Sequence, residues 1–308
     1  MYQYFQPVQI FSKLHPQYDY IWQFEMDSRY TGHHYHLLQQ ATAFAKKQPR
    51  KNLWERNSYF YIPSIHETWE KFTKMVDNSM MDQETIWGPV PVEGLNVSSE
   101  SPIPPRKPTQ NETSTWGIGE EADVVTWLPQ FNPENTGWPY RDVIYNFIEG
   151  PFIPRRSSPV AMSGLSARVL RIMHENLVEE GLSLVSEMTP ASMALYHGLK
   201  AVQIPQPIYH AQEWDPVELD RRANTGVPGA ISAGQDSIWT WDLAHDILKN
   251  MTYMFDSDFS GRLYQAWLGN GEVDEVSIMT LFCELKLTVC SGRERIGRCA
   301  CLRCCYIL

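Results

Sequence analysis

The sequence predicts an α/β fold, because it contains a strand near its start and a strand–helix–strand pattern in its second half. A short apolar and aromatic run begins at Tyr20 and is followed by polar residues, which is typical of a buried parallel strand. Further on, the runs SLVSEM and AVQI have the length of strands and flank a predicted helix. Thr189 and Pro190 suit the start of that helix and Gly198 its end. Such a succession forms a βαβ unit, so we expect a parallel sheet.

The other predicted elements are helices, each with apolar residues at helical spacing. They cover residues 33–48, 67–80, 163–180, 241–254 and 259–267. Ser163 can cap the third of these, and Gly181 lies just past its end. Six prolines among Ser, Asn and Glu in residues 88–113 indicate a mobile loop. We therefore predict one α/β domain over residues 18–270, preceded by an irregular lead-in over residues 1–17.

Composition and charge argue against several classes of protein. The chain is 43% hydrophobic and 12% aromatic, as globular proteins are. Its formal net charge of -10 argues against a nucleic acid held by phosphate contacts. No apolar stretch is long enough to span a bilayer, and the first residues do not form a signal peptide pattern. The sequence also lacks a G-x-S-x-G elbow, a Walker A loop and an H-E-x-x-H motif, so the corresponding enzymes are poorly supported.

The last part of the chain, residues 271–308, differs sharply from the rest. All six cysteines lie from Cys283 onward, and none of the 11 tryptophans does. Residues 283–308 hold five Lys/Arg and two Asp/Glu and are therefore basic, whereas the chain as a whole is acidic. A zinc or disulfide knot is one interpretation, but structural zinc sites pair cysteine halves across a spacer, and here the cysteines crowd together. We interpret this tail as disordered or non-native sequence that arises from a change of reading frame or a translated intron.

Two acidic residues, Glu25 and Asp27, follow the first predicted strand. Carboxylates two positions apart on a strand point the same way. Both could therefore hold one hard cation, Mn²⁺ or Mg²⁺, against substrate phosphates. His33 and His36 come soon afterwards on one helical face and could complete a metal site. The alternative is that the acidic pair ends a strand in a solvated turn and that the histidines are half-buried helix residues.

Two other acidic positions are candidates for a general base. The run GIGEEAD, from Gly117, superficially matches a dinucleotide fingerprint, but Glu120 and Glu121 would repel a pyrophosphate there. With Asp123, these residues suit a general base or a metal ligand, or equally the acidic first turn of a helix. Glu187 ends a predicted strand just before a capped helix, where open α/β folds bind ligands, and could also act as a base.

Several long stretches carry a resemblance to known proteins. They include YDYIWQFEMDSRYTGHHYHLL, WGIGEEADVVTWLPQFNPENTGW and SEMTPASMALYHGLKAVQIPQPIY, and they lie between Tyr18 and Gly269. In these stretches the chain resembles a fungal family catalogued as domain of unknown function 3405. The order of features is also similar to that of metal-dependent glycosyltransferases of the GT-A type. That similarity implies a partial GT-A-like, Rossmann-like mixed sheet with flanking helices.

The GT-A resemblance also implies roles for the acidic residues. Glu25 and Asp27 would bind the cation and the diphosphate of a nucleotide-sugar donor. Glu187, or one of Glu120, Glu121 and Asp123, would take the proton of a hydroxyl acceptor. The implied activity is metal-dependent sugar transfer, by analogy of fold alone. The alternative is a non-catalytic binding or scaffold module, in which these acidic residues are surface charge.

The chain departs from the GT-A pattern at its N-terminal side. GT-A enzymes build the nucleotide pocket from strands before the acidic motif, whereas only 24 residues precede Glu25. We therefore expect an incomplete sheet, and a chain that as written folds poorly and does not turn over substrate. Three N-x-[ST] sequons, at Asn96, Asn111 and Asn250, are compatible with a secretory compartment such as the Golgi for a longer protein.

Overall fold

The computed structural model of the protein describes residues 4–24, 30, 32–97, 109, 114–159, 162–205, 215–227, 230–231, 238–239, 265 and 268–270. Glu25, Asp27 and the tail over residues 271–308 lie outside these ranges. So do the helices predicted over residues 241–254 and 259–267, apart from Gln265. The described residues form an α/β fold with a mixed sheet and flanking helices, which confirms the predicted class.

The elements follow one another along the chain as short strands between helices. The helices are α1 (Gln6–Leu14), α2 (His34–Lys47), α3 (Leu53–Arg56), α4 (Pro63–His66), α5 (Trp69–Ser79), α6 (Ala167–Val178), α7 (Thr189–Tyr196) and α8 (Pro216–Asn224), with a 3₁₀ turn at Gly150–Phe152. The strands are β1 (Tyr20–Phe24), β2 (Val124–Thr126), β3 (Ile144–Tyr145), β4 (Met162–Ser166), β5 (Ser183–Leu184), β6 (Ala201–Gln203), β7 (Gly226–Val227) and β8 (Ala230–Ile231).

The described parts of two segments predicted to be irregular pack against helices of the fold. The lead-in over residues 1–17 contains helix α1, which has a proline in its first turn and packs against α6. The described first part of the predicted mobile loop, residues 88–97, packs against α7. There the amide of Val90 donates to the carbonyl of Leu195 at 3.1 Å, and Val92 is buried. A proline-rich segment can therefore be packed where its few apolar side chains find a core to enter.

The main sheet has the strand order β1-β4-β2-β6. Strand β4 is antiparallel to both β1 and β2, and β2 is parallel to β6. The prediction that the first strand is a buried parallel strand is wrong, because β1 is antiparallel to β4 and lies at the edge of the described sheet. The predicted βαβ unit is wrong as well, because β5 pairs with β3 in a separate antiparallel sheet. A short apolar run indicates a strand but not its partner or direction.

The helix predicted to start at Ser163 starts later. Ser163 lies within β4, and α6 begins only after Ser166, whose hydroxyl accepts a hydrogen bond from the amide of Val169 at 3.1 Å. Gly164 lies between these two serines, and its missing side chain leaves room for the indole of Trp22, which a Cβ atom would approach to 2.5 Å. The start of the predicted helix thus belongs to a strand that is covered on one face by an aromatic ring.

The main sheet is covered by helices on both faces. On one face, a row formed by Ile21, Leu165, Val124 and Ala201 packs into the core cluster that includes residues of α6 and α7. On the other face, Val125 and its neighbours belong to the cluster that includes residues of α2. Strands β1, β2 and β6 run in the same direction, so their C-terminal ends lie at one edge of the sheet. We call this the C-terminal edge.

Candidate functional site

The C-terminal edge carries a row of four polar side chains. Gln23 of β1 lies opposite Ser163 of β4, which lies opposite Thr126 of β2, which in turn lies opposite Gln203 of β6. Residues directly opposite each other share a face of the sheet. This polar row therefore follows the apolar row on the same face, two residues nearer the C-terminal edge. The face changes from apolar to polar where open α/β sheets bind ligands.

Part of the polar row is held by hydrogen bonds within the fold. The hydroxyl of Thr126 donates to the carbonyl of Leu128 at 2.9 Å and accepts from the side-chain amide of Gln130 at 3.1 Å. The side chain of Asn57 accepts from the backbone amide of Gln203 at 3.0 Å and donates to the carbonyl of Ala201 at 2.9 Å. These bonds fix the β2 and β6 side of the polar row.

The β1 and β4 side of the polar row is different. The side-chain oxygens of Gln23 and Ser163 are buried, and neither has a hydrogen-bond partner among the described residues. A buried polar atom without a partner is costly, at about 1–3 kcal/mol, and such atoms are uncommon in folded proteins. The two oxygens lie on adjacent strands at the same level of the sheet. Unsatisfied oxygens at this edge are the kind of feature that a bound cation or a polar ligand would satisfy.

Glu187 lies close to the same edge, just before α7. The amide of Ser158 donates to the Glu187 carbonyl at 2.9 Å, and the hydroxyl of Ser158 donates to the Leu128 carbonyl at 3.1 Å. Because the Leu128 carbonyl also accepts from Thr126, Glu187 is linked to the polar row through Ser158. One carboxylate oxygen of Glu187 is buried without a partner among the described residues, and burial raises the pKa of this carboxyl.

The predicted metal ligands lie partly outside the described residues. Glu25 and Asp27 follow Phe24, the last residue of β1, but the structure does not describe them. His33 and His36, at the start of α2, are both exposed, with ring centroids 4.9 Å apart. Within the described ranges, no three His, Cys, Asp or Glu side chains come close enough to hold a metal ion. A metal site at Glu25 and Asp27 therefore stays a prediction.

Asp123 lies at the opposite end of β2 from the polar row. Its carboxylate is buried and accepts three hydrogen bonds, two from the guanidinium of Arg168 at 2.9 Å each and one from the hydroxyl of Ser166 at 2.6 Å. Burial raises the pKa of the Asp123 carboxyl, and the charge of Arg168 partly offsets this effect. The network ties the entry of β2 to the start of α6, so Asp123 has a structural environment.

Glu120 and Glu121 are also paired with basic residues. The carboxylate of Glu120 accepts two hydrogen bonds from the guanidinium of Arg50, at 2.8 and 2.5 Å, and Glu121 forms an ion pair with Lys46. The segment leads directly into β2 and is not helical, so the interpretation as the acidic first turn of a helix is wrong. The structure thus separates these acidic residues from Glu187, which lies at the C-terminal edge.

The sequence matches a known protein family. The model of a family described as "Protein of unknown function (DUF3405)" matches residues 1–280. The chain belongs to this family. The DUF3405 match ends before Cys283, the first cysteine of the tail, so it covers the whole α/β fold and leaves the cysteines out. No curated protein and no solved structure matches the chain. None of the described helices of this DUF3405 chain is long and apolar enough to cross a membrane.

Sequence reasoning missed most of the polar row. Thr126 and Gln203 end short strands whose pairing is unknown until the sheet is assembled, and Ser163 was assigned to a helix. One signal was available, because Gln23 is the only polar residue in the run IWQF. A single polar residue in an otherwise apolar strand indicates a position where the strand meets a polar partner or a ligand.

Proposed function

We propose that the C-terminal edge binds a divalent cation together with the diphosphate of a nucleotide sugar, and that the protein transfers the sugar to a hydroxyl acceptor. The observation that carries this proposal is the polar row at the C-terminal edge, which contains oxygens without a described partner. Glu25 and Asp27 come immediately after β1 in the sequence, and one carboxylate oxygen of Glu187 is buried without a partner among the described residues.

The oxygen chemistry of the edge suits a hard cation. Mn²⁺ and Mg²⁺ prefer carboxylate, carbonyl and hydroxyl oxygens. The carboxylates of Glu25 and Asp27 would supply negative charge to balance that of the cation. The unsatisfied side-chain oxygens of Gln23 and Ser163 are neutral oxygen ligands of the hard type that such a cation prefers. A cation held here would neutralise the diphosphate as it leaves the sugar.

Glu187 is the best placed general base in the described part of the chain. A base works best when its pKa lies near the pH of the reaction, and burial shifts the pKa of Glu187 upward, towards that range. The acceptor hydroxyl would lose its proton to the Glu187 carboxylate as its oxygen bonds to the anomeric carbon. The bond from that carbon to the diphosphate oxygen would break, and the nucleoside diphosphate would leave. Glu120, Glu121 and Asp123 suit this role less, since each is engaged by a cationic side chain.

We expect Mn²⁺ to bind the protein and Asp27→Asn to weaken this binding by about tenfold or more, because the neutral amide removes one of two anionic ligands. Electron paramagnetic resonance measures the binding directly, since the signal of free Mn²⁺ falls as the ion is bound. UDP added afterwards should tighten Mn²⁺ binding if the ion contacts the diphosphate.

The matched control is Asp82→Asn, a change of the same kind at an exposed turn. It should leave Mn²⁺ binding unchanged. If wild-type protein binds neither Mn²⁺ nor UDP, the transferase proposal is wrong, and a non-catalytic binding or scaffold module becomes the better account. Metal binding without any preference for nucleotide would indicate a metal-dependent hydrolase instead.

A further inference from the structure

A cavity is lined by residues from several segments between Glu134 and Arg155. It has a volume of about 600 Å³, within the range of small-molecule pockets. Its walls come from the loop around Asn135, from strand β3 and the residues before it, and from the 3₁₀ turn that ends at Phe152. Most of the lining side chains are polar or charged. None of them belongs to the polar row at the C-terminal edge.

The polar wall of the cavity is rigid and close to neutral. The buried guanidinium of Arg155 donates to the carbonyls of Arg141 and Pro151 at 2.9 and 2.6 Å and to the carboxylate of Asp142 at 3.1 Å. Asp142 also forms an ion pair with Arg141 at 3.2 Å. With Glu134, the lining contains two cationic and two anionic side chains. A strongly charged ligand therefore finds no excess of opposite charge in this cavity.

The rest of the lining is apolar and includes an aromatic ring. Ile144, Pro151 and Phe152 form it, and Phe152 is 83% exposed. A phenylalanine this exposed contributes little to the core, so its ring is available for a ligand. Asn135, on the polar side, is exposed and has a backbone φ of 60°, a conformation that asparagine tolerates better than most residues. The cavity thus combines an apolar ring with amide, carboxylate and guanidinium groups.

We propose that this cavity binds a saccharide, which is an uncharged ring that carries several hydroxyl groups. One face of a sugar ring carries C–H groups that pack on an aromatic ring, and its hydroxyls exchange hydrogen bonds with paired donors and acceptors such as those of Asn135 and Glu134. A neutral lining and an exposed ring favour this ligand over a phosphate or a metal ion.

The position of the cavity assigns the saccharide a role, which rests on the proposed function. Arg155 lines the cavity, and three residues later Ser158 bonds to the carbonyl of Glu187. Arg155 and Ser158 thus lie on one short segment that joins the cavity lining to the Glu187 backbone. We infer from this connection that the cavity is the subsite of the acceptor in the proposed transfer.

Saturation-transfer NMR tests the proposal with a panel of methyl glycosides and their disaccharides as probes. We expect at least one probe to bind the wild-type protein. Phe152→Ala should weaken its binding by about fivefold to tenfold, because the ring contact is lost. Asn135→Gly, which keeps the backbone conformation, should also weaken it. The control Tyr145→Ala removes another exposed aromatic side chain, one that does not line the cavity, and should leave binding unchanged.

The proposal is overturned if no probe binds, or if binding survives both Phe152→Ala and Asn135→Gly. Mn²⁺ binding measured on the same samples separates this result from the test of the proposed function. Saccharide binding without Mn²⁺ binding would support the cavity and count against the transferase. Mn²⁺ binding without any saccharide binding would do the reverse.

Discussion

Replacing Asp123 by asparagine is expected to lower the free energy of unfolding by about 3 kcal/mol. Removing one partner of a buried ion pair typically costs about 3–5 kcal/mol, because the remaining charge loses that counter-charge in a poorly solvated site. We expect the lower end of that range, since the side chain of Arg168 is 28% exposed and can be partly rehydrated. Urea unfolding monitored by tryptophan fluorescence measures the effect.

Two further variants test whether the loss of stability in Asp123→Asn comes from the ion pair with Arg168. The alternative is that any substitution in this segment destabilises the fold. Glu121→Gln removes a charge two residues away whose partner, Lys46, is about as exposed as Glu121 itself, so we expect a loss of less than about 1 kcal/mol. Arg168→Met in the Asp123→Asn background removes the cation that Asp123 pairs with, and should restore part of the lost stability. Equal losses for Asp123→Asn and Glu121→Gln would contradict a buried ion pair at Asp123.

Glu187→Gln is expected to have the opposite effect on stability and the largest effect on activity. If Glu187 is the general base, sugar transfer should slow by about 10²–10⁴-fold, because the amide cannot accept the acceptor's proton. The rate of UDP release from a nucleotide sugar in the presence of an acceptor measures this. Removing a charge that burial disfavours should also stabilise the fold by about 0.5–2 kcal/mol.

The stability difference should depend on pH in a definite direction. Burial raises the pKa of Glu187, so between its ordinary pKa and the raised value the native state binds more protons than the unfolded state. The stability of the wild-type protein therefore falls as pH rises through that window, whereas the side-chain amide of the Glu187→Gln variant does not titrate. The advantage of Glu187→Gln should be small at acid pH and level off above the raised pKa.

The control for Glu187 is Glu180→Gln, a change at an exposed position after α6. It should alter neither the rate of transfer nor the pH dependence of stability. A loss of stability in Glu187→Gln would mean that native hydrogen bonds to the carboxylate outweigh the cost of its burial, and would count against a base whose pKa is raised.

Local signals in the sequence predicted four of the eight described helices, α2, α5, α6 and α7, and missed α1, α3, α4 and α8. The predicted bounds of α2 and α5 are within two residues of those observed, because apolar spacing and a helix-ending residue are properties of one segment. Thr68 caps α5 through a bond from the amide of Lys71 at 3.3 Å. The start of α7 at Thr189 and the left-handed Gly198 just past its end, with a φ of 64°, also agree with the prediction.

Features that depend on distant partners could not be predicted in this way. The partner of Asp123, Arg168, lies 45 residues further on, and nothing in the run GIGEEAD indicates it. The antiparallel pairing of β1 with β4 could not be predicted for the same reason, since its register pairs Tyr20 with Ser166, which is far away in the sequence. The polar row exists only once all four strands are in place, which is why three of its four members carried no signal of their own.

The position of the bound metal is the most direct test of the site at the C-terminal edge. Bound Mn²⁺ broadens the NMR signals of nearby amides, and this effect falls steeply with distance. Ser163 and Thr126 lie at the C-terminal edge on the two strands nearest β1, whereas Ala122 lies about 13 Å from Thr126 towards the other end of β2. We predict strong broadening at Ser163 and Thr126, weaker broadening at Ala122, and loss of the broadening in Asp27→Asn. Broadening strongest at Ala122, or unchanged in Asp27→Asn, would contradict a metal site at this edge.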